Sequence, residues 1–288
     1  LSIFIGQIFS KTTKQILVVF QNNNELRGGG GFITQLLDIT AGKGKFKFTF
    51  RNDLNELQGK KLIKPPDSVK KFLKLNHWYI RDANLFGDFE KNAVSISDNY
   101  KTLFEKHEVL AVIAVNFALI EKILKTIGSI KLENKNIDGD NLFSALTKDV
   151  SSIDLHDIDE LKNRKHLLKK LFRQLCKKVI LMPWKWPALA NLFYESIKTK
   201  DLQIYCFNKQ IQKKLVHNNL FEPFKLNGAT DFLAIVENNF LGLKTNRYLR
   251  RMVFHNVQFF FDKKTKSVSD AYVKVKIRNE HFGSFNYP

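Results

Sequence analysis

The run VLAVIAV at 109–115 constrains this chain more than any other stretch. Seven consecutive apolar residues, mostly β-branched or small, have no polar side to turn toward water. They suit a central strand buried on both faces. Asn116 follows directly and can cap a helix by accepting a backbone N–H. FALIEKILKTIG then shows helical spacing and ends at Gly128, a residue suited to helix termination. QILVVF at 15–20 reads as a second buried strand, and DLQIYCF, after the helix WPALANLFYESIKT, as a third. Strands alternating with helices predict an α/β fold: one compact domain with a mixed central sheet flanked by helices.

The remaining elements fit that frame. FITQLLDI after Gly28–Gly31 predicts a strand, and KFKFTF at 45–50 alternates so that Phe46, Phe48 and Phe50 share a face. PPDSVKKFL predicts a short helix opened by prolines. Helices are also expected over 90–106, 139–149, 158–181 and KQIQKKLVHN. DFLAIVENN is expected as a strand. RMVFHNVQFFFDKKTKSVSDAYVKVKIRN predicts a hairpin, 252–278, at the edge of the domain that spans 15–288. Residues 1–14, opening on LSIFIGQIF, are expected to be the end of an upstream helix or linker, with an anchoring segment before it.

Composition narrows the function classes. Of 288 residues, 44% are hydrophobic and 26% charged, the balance of a folded domain rather than a disordered one. No run of about 20 apolar residues is present, so no segment reads as a membrane span. Cys176 and Cys206 are too few for a disulfide framework or a zinc site and read as free thiols. The net charge of +19 fits a polyanionic partner, but it is also what a Lys-, Asn-, Ile- and Phe-rich, A+T-biased composition produces without one. The helix 158–181 is basic along its outer side. It can be read as a solvated face or as a surface for nucleic acid or anionic lipid. Aromatics are not interleaved with its charges, which disfavours single-stranded nucleic acid.

Common catalytic signatures are missing. There is no GxSxG, HExxH or CxxC, and neither Gly28–Gly31 nor GKGK at 42–45 completes a phosphate-binding loop. Three polar clusters remain. The first is QNNNELRGGGGF, with Asn23, Glu25, Arg27, Gly30 and Gly31. Glycines allow close approach of backbone amides to phosphate oxygens, and Arg27 offers a bidentate anion fork. The plain alternative is a hairpin turn with a surface ion pair. The second cluster is Arg51, Asn52 and Asp53. The third is Arg81, Asp82, Asn84 and Asp88 within WYIRDANLFGDF. Their carboxylates are hard oxygen ligands of the kind Mg²⁺ prefers, although a packed loop with structural ion pairs has the same composition.

At these clusters the chain resembles the bacterial family known as domain of unknown function 4012. The likeness lies in QNN-x-ELR-x-x-GGF (Gln21–Phe32), RDAN-x-x-x-DF (Arg81–Phe89), VIAVN with the helix after it, DLQIYCFNKQIQKKL and VENNFLGLKTNRYLRR. Gly28 and Gly29 stand where family members commonly carry Pro and Thr. The order of elements is more distantly similar to that of the LytR-CpsA-Psr phosphotransferases, which move glycopolymers from polyprenyl-pyrophosphate carriers to the cell wall. That resemblance implies an extracytoplasmic, membrane-anchored protein that binds a pyrophosphate-linked lipid or anionic cell-wall polymer, with or without transfer. Arg27, Arg51 and Arg81 would hold phosphate beside Asp82. Asn23, Glu25, Gly30, Gly31 and Asn84 would shape the ligand site. Asp53, Asp82 and Asp88 would hold Mg²⁺. Nucleic acid is not the expected partner.

Overall fold

The computed structural model describes residues 10–51, 63–74, 76–104, 108–132, 135–147, 158–221, 233–240, 249–265 and 268–281, with Gly6, Leu54 and Asn246 in addition. Residues 1–242 form one compact unit and 243–288 a second. The fold is mixed α/β.

The first unit is organised by a five-stranded sheet. In chain order its strands are β1 (Lys14–Asn22), β2 (Phe32–Gly42), β3 (Lys45–Arg51), β4 (Val109–Asn116) and β7 (Leu202–Cys206), and in space they lie β3-β2-β1-β4-β7. Only β1 and β4 run parallel; the other pairings are antiparallel. A parallel pair needs a crossover, supplied here by α1 (Asp67–Leu73), a 3-10 turn at Ile80–Asp82 and α2 (Phe89–Phe104). The apolar runs QILVVF and VLAVIAV therefore lie side by side in the sheet interior, where both faces are covered.

Each face carries its own core. On one, Leu17, Val19, Ile33, Leu36, Leu110 and Val112 pack under Ile96 and Tyr100 of α2, Ile80 of the 3-10 turn, and α7 (Lys209–His217). On the other, Val18, Phe20 and Leu37 pack under α3 (Phe117–Ile127), α4 (Leu142–Thr147), α5 (Ile158–Leu181) and α6 (Trp186–Lys198). The period-2 alternation of β1 sends Leu17 and Val19 one way and Val18 and Phe20 the other. A small ladder, β5 (Ile130–Leu132) with β6 (Lys135–Ile137), stands beside α5.

Local signals set the boundaries. The Asn116 side chain accepts from the Leu119 N–H, and α3 stops at Gly128, whose φ of 82° is left-handed. That conformation costs a Cβ-bearing residue about 1–2 kcal/mol. Leu119, Ile120, Leu124 and Ile127 recur on one side of α3 and are buried, each contributing about 1.5–3 kcal/mol. The helix expected over 139–149 starts later, at Leu142, and is described to Thr147, with 148–150 outside the described residues. Phe46 and Phe48 of the outer strand β3 do share a face; they stack at 6.2 Å and are exposed.

One expected strand is not there. DFLAIVENN was expected as a ladder strand, but residues 233–239 have no regular secondary structure. Their polar groups go to loops instead: the Asn239 N–H donates to the Leu26 carbonyl and the Gly28 N–H to Asn238 Oδ1. An apolar run specifies burial, and the hydrogen-bond partners within reach decide whether it joins a sheet.

The second unit contains a hairpin longer than the sequence suggested, β8 (Leu249–Phe261) with β9 (Val268–His281). At its turn Asp262 Oδ1 accepts from the Lys264 and Thr265 N–H groups. These bonds hold the carboxyl below its ordinary value.

Candidate functional site

The QNNNELRGGGGF segment lies where β1 ends and β2 begins, beside the carboxyl end of the parallel strand β4. Ligands of open α/β sheets commonly bind outside such strand ends. The segment is wound on itself. Asn22 Oδ1 accepts from the Asn24 N–H at 3.1 Å, Asn22 Nδ2 donates to Glu25 Oε1 at 3.0 Å, and the Phe32 N–H donates to the Glu25 carbonyl at 2.9 Å. It is also zipped to the RDAN loop. The Gly29 N–H donates to the Asn84 carbonyl at 2.7 Å, and Asn84 Nδ2 donates to the Gly31 carbonyl at 2.6 Å.

Arg27 was expected to face an anionic ligand and instead points inward. It is 5% exposed, and its guanidinium donates to Asp82 Oδ1 at 3.4 Å and to the Asn239 carbonyl. The Phe32 ring lies 5.2 Å from it. The other Asp82 oxygen accepts from Arg81 Nε at 3.3 Å, and Arg81 lies over the Tyr79 ring. Asp82 thus sits between two arginines, and Arg81, with 32% of its side chain exposed, is the member that reaches solvent. The glycines also serve internal packing. A Cβ at Gly28 would lie 2.2 Å from the Leu85 carbonyl oxygen, and one at Gly31 would lie 2.5 Å from the Asn22 carbonyl oxygen. Close approach is needed, as the glycines implied, but the approaching group is the chain's own backbone.

The other expected site residues do not join this cluster. Arg51 pairs with the fully buried Asp38 at 3.3 Å and lies over Phe104. Tyr100 donates to the same Asp38 oxygen at 2.6 Å, and burial together with that carboxylate pushes the phenol well above its ordinary pKa. Asp88 Oδ1 accepts from the Glu90 N–H at the start of α2. Asn23 Oδ1 is buried without a hydrogen-bond partner among the described residues. Asp53 lies outside the described residues. Among the described residues no three His, Cys, Asp or Glu side chains come together as a metal site. Of the set expected for Mg²⁺, Asp82 is paired with two arginines and Asp88 accepts the Glu90 N–H.

Sequence reasoning missed a cluster at the carboxyl end of β4. Asp201 accepts from Asn116 Nδ2 at 2.7 Å, Thr199 Oγ1 at 2.7 Å and Lys122 Nζ. Burial pushes the Asp201 carboxyl up, but these three bonds outweigh it and hold it below the ordinary 3.8. A carboxylate favoured in the folded state stabilises fully above the ordinary value, and that contribution is lost as pH falls through the folded value. Asp201→Asn is therefore expected to flatten the acid limb of the stability curve below about pH 3.8, read by urea unfolding at stepped pH. An unchanged acid limb would refute the assignment. Asn116 gave a signal for its cap, but nothing in the sequence tied it to Asp201.

Two cavities border the start of β7, and Leu202 lines both. One, of about 340 Å³, is walled by β1, β4, α3, α5 and α6 and is apolar except for Gln35 and Cys176. Burial pushes the Cys176 thiol up. The other, of about 410 Å³, has Phe89, Leu220 and Phe221 in its walls together with Lys198, Lys200 and Gln203. Gln203 Nε2 donates to the Gly29 carbonyl at 2.7 Å, which places this second cavity against the QNNNELRGGGGF loop.

No curated protein matches the chain. Among solved structures, Lin1025 of Listeria innocua is 11% identical over 92% of this chain and 91% of its own, with a TM-score of 0.40. Protein gbs0355 of Streptococcus agalactiae is 12% identical over 73% and 74%, at 0.45. B. subtilis TagV is 10% identical over 83% and 96%, at 0.39. Likenesses this distant decide nothing about activity. Residues 11–150, which contain both the QNNNELRGGGGF and RDAN segments, match the profile of a family described as protein of unknown function (DUF4012). Over these residues, just under half of the chain, the sequence is similar to that family.

Proposed function

We propose that the protein binds a phosphate-bearing lipid of the cell envelope, of the polyprenyl-pyrophosphate kind, at the extracytoplasmic face of the membrane. The observation that carries this reading is the 340 Å³ apolar cavity under α3, α5 and α6; a second cavity, on the other face of the sheet, shares Leu202 with it at the start of β7 and has Lys198 and Lys200 in its wall. An apolar chain in the first cavity gains about 25 cal/mol for each Å² taken from water. A phosphate at the second would meet the Lys200 side chain and Lys198, whose ammonium pairs with Glu195 at 2.9 Å and would be shared with the ligand. Binding rather than phosphoryl transfer fits the side chains better. Asp82 and Arg27 are committed to each other, so neither is poised to activate a hydroxyl or to clamp a leaving group.

The test is mass spectrometry of lipid extracted from the purified protein. Ile123→Trp, which fills the apolar cavity, is expected to remove most of the bound lipid, and Lys198→Glu with Lys200→Glu to lower it by about tenfold. An apolar ligand is also expected to slow maleimide labelling of Cys176 while leaving the buried Cys206 unchanged. Equal lipid in the wild type and Ile123→Trp, with labelling unaffected, would refute the reading.

A further inference from the structure

We propose that the corner between α5 and α6 docks on an anionic lipid surface. Four large apolar side chains stand out at this corner: Ile180 (67% exposed), Leu181 (62%), Trp184 (68%) and Trp186 (53%). They lie within seven residues of one another, and two prolines stiffen the bend. Pro183 opens the 3-10 turn Pro183–Lys185, and Pro187 lies in the first turn of α6. Trp186 Nε1 donates to the Val179 carbonyl at 2.9 Å, which satisfies a carbonyl at the end of α5 and fixes the indole. A rigid corner presents these rings at no further ordering cost when a surface meets them.

Charge selects the occupant. Between 169 and 194 there are six basic residues, Lys169, Lys170, Arg173, Lys177, Lys178 and Lys185, and no Asp or Glu. An exposed apolar patch on a stretch of chain that carries cations and no carboxylate suits a bilayer with anionic headgroups. Tryptophan favours the headgroup level, and lysine stems lie along the apolar layer with their charges at the phosphates. A second copy of this chain would present the same cations to themselves and is disfavoured. Ile180 also lines the apolar cavity. The docked face would therefore set that cavity's wall against the bilayer, although docking does not require the cavity to be loaded.

The experiment is sedimentation of the full chain with phosphatidylglycerol–phosphatidylcholine vesicles and with phosphatidylcholine alone. Binding is expected to the anionic vesicles only, with a blue shift in tryptophan emission, and to weaken as salt rises. Trp184→Ala with Ile180→Ser is expected to weaken it by about tenfold or more. Lys177→Glu with Lys185→Glu is expected to weaken it similarly. These side chains are exposed or at the surface rim, and circular dichroism checks that each variant stays folded. Vesicle binding that Trp184→Ala with Ile180→Ser leaves intact would overturn the proposal. So would absence of vesicle binding, with or without self-association that the same variant abolishes. The lipid-carrier reading is judged separately, since Ile123→Trp is expected to empty the cavity yet still sediment with vesicles.

Discussion

Arg27→Ala is expected to destabilise the first unit by about 3–5 kcal/mol, the cost of breaking a buried ion pair from one side. Arg27 and Asp82 expose 4% and 5% of their side chains, so water does not compensate for the lost partner. Among the described residues Asp82 would keep Arg81, which is partly solvated and worth far less to it. The Asn239 carbonyl would lose its donor, and Phe32 and Phe240 would lose the cation beside them. Urea unfolding followed by circular dichroism measures the change. Arg81→Ala is the comparison and is expected to cost about 1 kcal/mol or less. If both arginines prove equally cheap to remove, the inward role of Arg27 is wrong and the ligand-facing expectation is restored.

Gly28→Ala ranks second, at about 3 kcal/mol, the upper end of overpacking costs. The added methyl would meet the Leu85 carbonyl oxygen at 2.2 Å, its carbon at 2.7 Å and the Phe86 carbonyl carbon at 2.9 Å. All three are backbone atoms, so no rotamer change relieves the contact. The loops must separate, which loosens the Gly29–Asn84 and Asn84–Gly31 hydrogen bonds that join them. Gly44→Ala is the control for strain alone. Its φ is 71°, yet nothing lies within 4 Å of the added carbon, so about 1 kcal/mol is expected. A Gly28→Ala variant no less stable than Gly44→Ala would show that the two loops are not packed as described.

The same two positions show how far the sequence could be read. Glycines at 28–31 announced close approach correctly, because only a missing Cβ permits it. They could not say what approaches, since Leu85 and Asn84 are more than fifty residues away in the chain. Arg27 and Asp82 were both identified as important, each as a ligand-facing group. Pairing them required the crossover that brings the 3-10 turn onto β2. Arg51 was grouped with the other arginines by residue type and lies instead with Asp38 and Tyr100. Asp38 lies within the strand FITQLLDI, and its burial depends on α2 covering that face.

What the sequence determined alone are the features set by near neighbours: the two buried strands, the Asn116 cap, the Gly128 stop, the hairpin and the α/β class. Each follows from side-chain period or from a residue acting within four positions of itself. The tertiary structure alone decided which polar groups satisfy one another. It turned Arg27 inward, gave Asp201 its three donors, kept 233–239 out of the sheet and left an apolar cavity between the sheet and three helices. The physical reason is that a buried charge or carbonyl accepts whichever partner the fold brings within about 3 Å. That distance is fixed by packing across the chain and leaves no trace in local spacing.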